Sequence, residues 1–252
     1  MTEMINRTAK AEKMKKVFLT EKPVIGMLHL PGGAEEEVLK IAREEADIMY
    51  GAGVNAVMAE NYFGSTRDVE NVLAMLQREY PGRVYGVNVL GDFETAFQLA
   101  ARYGAAFVQV DSVCGHLRPQ QEPYYFERLD ACRKETGVFL MGGVRFKYQP
   151  VRSGRSVDED LAIGREHCDA IVVTGEGTGI ATDMKKIVTF RSYLPDFPLI
   201  VGAGITAETC KAQLSIADGG IVGSYFKFDG DACNRMDDNR VKAFMEACRG
   251  AH

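Results

Sequence analysis

The sequence contains no tryptophan, no Cys-x-x-Cys pair and no apolar run close to the ~20 residues of a membrane-spanning helix. Its six cysteines are scattered, which predicts reduced thiols and excludes a disulfide framework or a zinc site of the usual spacing. A basic surplus is also lacking, because 30 Lys and Arg face 35 Asp and Glu, for a net charge of −5. This balance excludes a general nucleic-acid binder. We expect a cytoplasmic protein without a nucleic-acid partner.

Residues 1–22 lack the continuous apolar core of a signal peptide and carry more basic than acidic residues. Within them, Ala11–Phe18 is predicted to be helical. A leading helix packed under the fold is favoured, because its apolar stripe is narrow; a basic helix on a membrane surface is the alternative. Beyond Pro23 the composition does not shift, so residues 23–252 are predicted to form one domain.

From Pro23 onward, short β-branched apolar runs alternate with longer amphipathic stretches, and glycine or proline marks the joins. Strands are predicted at Val24–His29, Val54–Glu60, Val84–Leu90, Phe107–Asp111, Val138–Lys147, Ala170–Thr174, Leu199–Gly202 and Gly220–Ser224. Helices are predicted at Glu36–Tyr50, Arg67–Tyr80, Glu94–Tyr103, Tyr124–Glu135, Val157–His167, Asp183–Tyr193, Ala207–Ser215 and Asp238–Cys248.

This strict alternation predicts an α/β fold with a parallel sheet and right-handed crossovers. Eight units of ~30 residues match a single (β/α)8 TIM barrel, here with an extra N-terminal helix. A doubly wound open sheet is the alternative. Its dinucleotide fingerprint is incomplete, because Gly202-Ala203-Gly204 lacks the third glycine and lies near the C-terminus.

Polar residues gather near the C-terminal ends of the predicted strands, where barrel active sites lie. Strand alternation turns six of them inward: His29, Asn88, Gln109, Asp111, Arg145 and Lys147. Three more stand at strand ends: Glu60, Thr174 and Ser224. Burying such charges unpaired costs several kcal/mol each, so they need one another or a ligand. A salt-bridged plug is the alternative to the favoured polar ligand site.

Glycines follow the seventh and eighth predicted strands, at Gly202 and Gly204 and at Gly223 beside Ser224. Many barrels bind phosphate with these two loops and a short extra helix. Residues without a Cβ let the main chain approach an anion closely. We therefore predict a phosphate site formed by Gly202, Gly204, Gly223 and Ser224, to which Lys227 adds charge unless it is simply solvated.

The loop Thr174-Gly175-Glu176-Gly177-Thr178-Gly179 is not a Walker loop, because no Gly-Lys-Ser/Thr follows. Its glycines suit a lid over the barrel mouth, with Glu176 as an acid or base. A flexible turn leading into the next helix fits equally well.

Six segments resemble the BtpA/SgcQ family: Ile25–Pro31, Ala59–Asn61, Gly86–Leu90, Ile171–Gly175, Val201–Thr206 and Ala217–Ser224. They lie in order from Pro23 to the last predicted helix. The resemblance implies a TIM barrel of the ribulose-phosphate-binding type. The founding member of the family is associated with photosystem I biogenesis as a membrane-peripheral factor. SgcQ-like members belong to gene sets for sugar uptake and sugar-phosphate metabolism. Glu60-Asn61 and Lys147 keep the family pattern, whereas Gln109 replaces its usual Arg and Asp111 its usual Asn.

Two function classes follow. The favoured one is an enzyme that acts on a phosphorylated sugar or nucleotide-like metabolite by isomerisation, epimerisation, aldol-type cleavage or N-glycosidic cleavage. Its predicted catalytic residues are Glu60, Asp111 and Lys147. Its predicted substrate-binding residues are His29, Asn61, Asn88, Arg145, Thr174 and Glu176. The alternative is a non-catalytic assembly factor, peripheral to membranes.

No cofactor is predicted. The four histidines form no His-x-His or His-x3-His pair, so no metal site is expected, although Mg²⁺ bridging Glu60 or Asp111 to a phosphate stays open. The sequence also leaves open a homo-oligomer.

Overall fold

The computed structural model describes the backbone of residues 2–249 and the side chains of residues 9–249. The predicted extension and domain, residues 1–22 and 23–252, therefore begin and end outside the described residues. Eight parallel strands, β1–β8, close into a barrel in sequence order. The strands are Val24–His29, Ala56–Glu60, Val84–Asn88, Phe107–Cys114, Phe139–Val144, Ala170–Val173, Leu199–Val201 and Gly219–Val222. The predicted TIM barrel is confirmed.

Helices α1–α9 precede and connect the strands, and they cover the outside of the barrel. They span Thr2–Phe18, Glu35–Gly51, Thr66–Glu79, Phe93–Tyr103, Glu122–Thr136, Val157–His167, Met184–Tyr193, Cys210–Leu214 and Asp238–Cys248. Two short 3₁₀ turns, Ser224–Phe226 and Phe228–Gly230, lie between β8 and α9. Across residues 2–249, none of the helices combines the length and the hydropathy needed to cross a membrane.

Strand alternation divides the apolar side chains into two clusters. One set points into the barrel, where Ile25, Met58, Phe107, Met141 and Ile200 belong to a single buried cluster. The other set packs against the helices and forms the larger core. The barrel is therefore filled by side chains at its centre, and polar residues reach open space where the strands end.

Helix α1 closes the N-terminal end of the barrel. Phe18 packs against Phe107 and Phe139, with ring centroids 5.0 and 5.8 Å apart. The Nζ of Lys10 donates to the carbonyl of Cys168 (2.6 Å), and Lys13 pairs with Asp169 (2.9 Å). The helix thus has the first of its two predicted roles, packed under the fold, and it is longer than the predicted Ala11–Phe18.

Candidate functional site

A cavity of about 360 Å³ opens at the C-terminal end of the barrel. It brings together these predicted residues: His29, Glu60, Asp111, Lys147, Gly202, Gly204, Gly223 and Ser224. They come from loops or strand ends on both sides of the barrel, so the chain folds most of the predicted polar cluster and the two glycine loops around one space.

Two carboxyl groups in this cavity are joined by one amide. The Nδ2 of Asn88, at the end of β3, donates to Oε1 of Glu60 (2.8 Å) and to Oδ1 of Asp111 (2.9 Å). The Nε2 of Gln109 also donates to Oδ1 of Asp111 (3.2 Å). Asn88 is buried, and the inward direction predicted for it and for Gln109 and Asp111 agrees with these contacts. The pair has a fixed spacing because each amide proton holds one carboxyl group.

Glu60 carries the most perturbed carboxyl group of the cavity. Burial raises its pKa to about 8, and the nearby charge of Asp111 adds to the rise, whereas Lys147 and the hydrogen bond from Asn88 lower it. The side chain is therefore mostly protonated at neutral pH. A protonated carboxyl beside a second carboxyl group is a common arrangement for an acid and a base in one site.

His29 stands beside Glu60 as a neutral imidazole. Its pKa is lowered to about 3, mainly by burial and also by the charges of Lys227 and Lys147. Its Nε2 lies 3.9 Å from Oε2 of Glu60, and its Nδ1 has no hydrogen-bond partner within the described part of the chain. The ring lies 4.9 Å from that of Tyr62. A neutral, under-bonded imidazole on a cavity wall can donate to or accept from a ligand.

The loop between β6 and α7 folds across the cavity and is held there by Thr178. Its Oγ1 accepts hydrogen bonds from Nζ of Lys147 (3.1 Å) and from the hydroxyl of Tyr62 (3.0 Å). Its backbone N–H donates to the hydroxyl of Tyr148 (2.7 Å). The lid expected from the glycines therefore has a closed arrangement. Thr178, Tyr62 and Tyr148 are not predicted as site residues, since nothing in the local sequence distinguishes them.

The other end of the cavity combines main-chain donors with a cation. Ala203, Gly204, Ser224 and Tyr225 line this end, and among the described residues their N–H groups make no hydrogen bond of a turn or loop. Arg240, on α9, lines the same cavity. Its Nε donates to the carbonyl of Tyr225 (2.6 Å), and its guanidinium lies 4.4 Å from that ring. Arg240 is not predicted as a site residue from the sequence, because one arginine on an amphipathic helix ordinarily faces solvent.

The glycines of these loops are required by packing against protein. A Cβ on Gly204, which has φ +65°, would overlap the main chain of Ile180 and Ala181 in the lid. A Cβ on Gly202 would meet Val172, and one on Gly223 would meet the ring of His29. Close approach of neighbouring segments is thus a reason for these glycines that is separate from the predicted room for an anion, and both loops border the cavity.

Arg145 is placed wrongly by strand alternation. Strand β5 ends at Val144, and Arg145 takes a left-handed conformation (φ +50°) that ends the alternation. Its Nε donates to Oδ2 of the fully buried Asp160 (2.8 Å), and a second nitrogen donates to the carbonyl of Arg155 (2.5 Å). Arg145 therefore anchors the loop that carries Lys147 and is absent from the cavity lining.

Three further predicted ligand residues shape the loops. Asn61 accepts from the N–H of Leu90 (2.8 Å), and Thr174 accepts from the N–H of Lys147 (2.8 Å). Glu176 is exposed on the lid and does not line the cavity, so its predicted role as an acid or base finds no support.

Lys227 was expected to add charge to the phosphate loop or to be solvated. Instead it is buried and forms an ion pair with Glu45 of α2. Among residues 9–249, no three His, Cys, Asp or Glu side chains converge closely enough to hold a metal ion.

Comparison with known proteins gives consistent matches. The model of the BtpA family matches residues 152–250. The chain is 31% identical over 252 residues to the uncharacterized protein TK2179 of Thermococcus kodakarensis, covering 90% of this chain and 95% of that protein. The sgc region protein SgcQ of Escherichia coli is 28% identical over 267 residues (92% and 96% covered). The photosystem I biogenesis protein BtpA of Synechocystis is 26% identical over 258 residues (92% and 90% covered).

Among solved structures, one described as native KDPGal superposes with a TM-score of 0.63 at 16% identity and covers 92% of this chain and 97% of its own. Phosphoribosyl anthranilate isomerase in complex with reduced 1-(o-carboxyphenylamino)-1-deoxyribulose 5-phosphate gives a TM-score of 0.59 at 15% identity, covering 91% and 99%. At these identities the likeness concerns the fold.

Proposed function

The chain belongs to the BtpA family, and we propose that it is an enzyme that acts on a phosphorylated sugar or nucleotide-like metabolite by acid–base chemistry. One observation carries the proposal. Glu60 and Asp111, joined by Asn88, face the same cavity as the loops after β7 and β8. Reactive groups and a set of anion donors thus share one space of the size of a small metabolite.

The two carboxyl groups have complementary roles in this proposal. Glu60 is mostly protonated at neutral pH, because its pKa is about 8, and it donates a proton to a developing oxyanion or leaving group. Asp111 acts as the base that abstracts a proton or activates water. Asn88 is a positioning residue, because its amide holds one oxygen of each group.

Lys147 supplies the third reactive group. Its ammonium reaches the cavity from the loop after β5 and donates to Thr178 of the lid. From there it stabilises negative charge on a substrate oxygen. In the second role it first loses a proton to a base, and the neutral amine then adds to a substrate carbonyl and expels water to form a Schiff base. Isomerisation, epimerisation, aldol-type cleavage and N-glycosidic cleavage all use such a set.

The phosphate end of the cavity is formed by Arg240 and by the main chain of Ala203, Gly204, Ser224 and Tyr225. Arginine binds phosphate oxygens with planar paired donors, and main-chain N–H groups complete the shell. The loops after strands 7 and 8 are the usual phosphate position in this fold. Phosphoribosyl anthranilate isomerase, which shares the fold, binds a phosphorylated ligand, reduced 1-(o-carboxyphenylamino)-1-deoxyribulose 5-phosphate.

Isothermal titration with ribose 5-phosphate tests the proposal. The wild-type chain is expected to bind it, and Arg240→Ala to bind at least about tenfold more weakly, since one charge-assisted contact contributes about 1.5–3 kcal/mol. Lys242→Ala is the matched control, because Lys242 lies on the same helix in an exposed pair with Asp238. Absence of binding, or equal binding by all three proteins, would contradict the proposal.

A second candidate function is that of an assembly factor, which the name of the Synechocystis relative supports. The basic helix that suggested membrane contact has Met14 and Phe18 buried against the barrel. Sedimentation of the full chain with anionic vesicles separates the candidates. Pelleting together with an absence of sugar-phosphate binding would favour the assembly factor.

A further inference from the structure

A second cavity, of about 390 Å³, adjoins the first. Gln109 and Asp111 line both cavities, so the second opens beside the proposed base. It lies between the ends of β3 and β4 and the first turns of α4 and α5, away from the loops of β7 and β8. We call it the side cavity.

One wall of the side cavity consists of aromatic rings. The ring of Tyr125 makes edge contacts with those of Phe93 and His116, each with centroids 5.2 Å apart. The hydroxyl of Tyr125 donates to the carbonyl of Ser112 (2.8 Å) and holds the wall against β4. Such a wall offers flat and edge contacts that suit a planar ring better than a sugar or an aliphatic chain.

Three polar atoms of the same cavity have no partner within the described residues: Oε1 of Gln109, Oγ of Ser112 and Nδ1 of His116. Gln109 and Ser112 are more than nine-tenths buried. Burial lowers the pKa of His116, so its imidazole is neutral. Unpaired buried polar groups are rare in folded proteins, and a ligand with ring donors and acceptors would satisfy them.

The charges at the rim disfavour an anionic ring. Arg128 forms a paired contact with Glu94, so its charge is already neutralised. A second phosphate or a carboxylate would have to separate these two groups. The phosphate of the substrate therefore belongs to the Arg240 end, and the ring in the side cavity carries no negative charge.

We propose that the side cavity binds a planar, nitrogen-bearing ring attached to the phosphorylated sugar, so that the substrate class is a ring-substituted sugar phosphate. The inference rests on the proposed function and extends it. With phosphate at Arg240 and the ring against Tyr125, the bond between sugar and ring lies near Asp111, which lines both cavities.

The test compares affinities on the full chain by isothermal titration. The probes are ribose 5-phosphate, inosine without phosphate, and the 5′-monophosphates of inosine, uridine and nicotinamide riboside. At least one ring-bearing monophosphate is expected to bind tenfold or more tightly than ribose 5-phosphate. Ser112→Leu fills the side cavity and His116→Leu removes a ring partner, and both are expected to reduce this ratio to below about twofold. Ser192→Leu, exposed on α7, is the matched control and keeps the ratio.

The melting temperature of each variant, followed by circular dichroism, shows that it is folded, and either folded variant suffices. The inference is wrong, and the proposed function still stands, if ribose 5-phosphate binds through Arg240 but no ring improves binding. The same holds if Ser112→Leu and His116→Leu both leave the ratio of affinities unchanged. If no phosphorylated probe binds, the proposed function fails, and the inference fails with it.

Discussion

The main-chain carbonyl of Asp111 occupies the position that a side chain on Gly143 would need. The cause is an irregularity in β4, where the pairing with β5 shifts between Val110 and Cys114. Bulges of this kind redirect side chains and are frequent beside active sites. Gly143 therefore permits the close approach of the main chain at Asp111, and it is a positioning residue for the proposed base.

Gly143→Ala is expected to displace Asp111 and to disturb its bond with Asn88. Overpacking of this kind costs about 1–3 kcal/mol, and affinity for ribose 5-phosphate should fall with it. Chemical denaturation and titration measure the two effects. Gly51→Ala is the control, because no atom lies within 4 Å of the position of its Cβ. Equal behaviour of the two variants would refute the role given to Gly143.

Thr178→Val removes the hydroxyl that accepts from Tyr62 and Lys147 and keeps the volume of the side chain. The lid is expected to open more often, so hydrogen exchange of residues 175–182 should quicken. Thr189→Val is the matched control, because that hydroxyl bonds within α7. Exchange as slow as in the wild type would show that Thr178 does not hold the lid.

Glu60→Gln tests the raised pKa of this carboxyl. Its pKa rises from 4.5 to about 8 on folding, so the native state holds the proton more tightly than the unfolded chain. Stability from this group is full below about pH 4.5 and is lost as pH rises to about 8, at about 1.4 kcal/mol per unit. Between about pH 4.5 and 8, the melting temperature of Glu60→Gln should rise relative to that of the wild type. Above about pH 8 the difference between the two melting temperatures should stay constant.

The control for this pH series is Glu127→Gln, an exposed position on α5, which should keep the slope of the wild type. A constant difference between Glu60→Gln and the wild type from pH 4.5 to 8 would rule out the raised pKa. Catalysis that uses Glu60 as an acid should also decline above about pH 8.

Arg145→Met tests the corrected role of Arg145. Asp160 would lose its nearest cation inside the protein, which costs about 3–5 kcal/mol for a buried pair. Thermal unfolding measures this loss. Arg152→Met is the control on the same loop, because Arg152 is exposed. Unchanged stability with weakened ligand binding would restore the original assignment of Arg145 to the ligand.

The sequence predicted the barrel well because burial and alternation are local signals. Strand β1 and helices α6 and α9 have the predicted bounds. The direction of Asn88 and Asp111 also followed from alternation. Alternation gave the wrong direction for Arg145. The rule applies only within a strand, and β5 ends at Val144, one residue before Arg145.

The remainder of the site depends on contacts between distant segments. Arg240 and Thr178 enter the cavity through the packing of α9 and the lid, which no local pattern encodes. The glycines of the loops after β7 and β8 border the cavity, but the sequence gives only room for an anion as their reason. The atoms that exclude a Cβ at Gly204 belong to residues 180 and 181. Sequence spacing alone contains no information about such neighbours.

A crystal structure of the chain with bound ribose 5-phosphate tests the central claim most directly. The account predicts phosphate oxygens within hydrogen-bond distance of Arg240 and of the N–H groups of Gly204 and Ser224, with the sugar carbons beside Glu60 and Asp111. A phosphate bound elsewhere, or a sugar out of reach of both carboxyl groups, would contradict it.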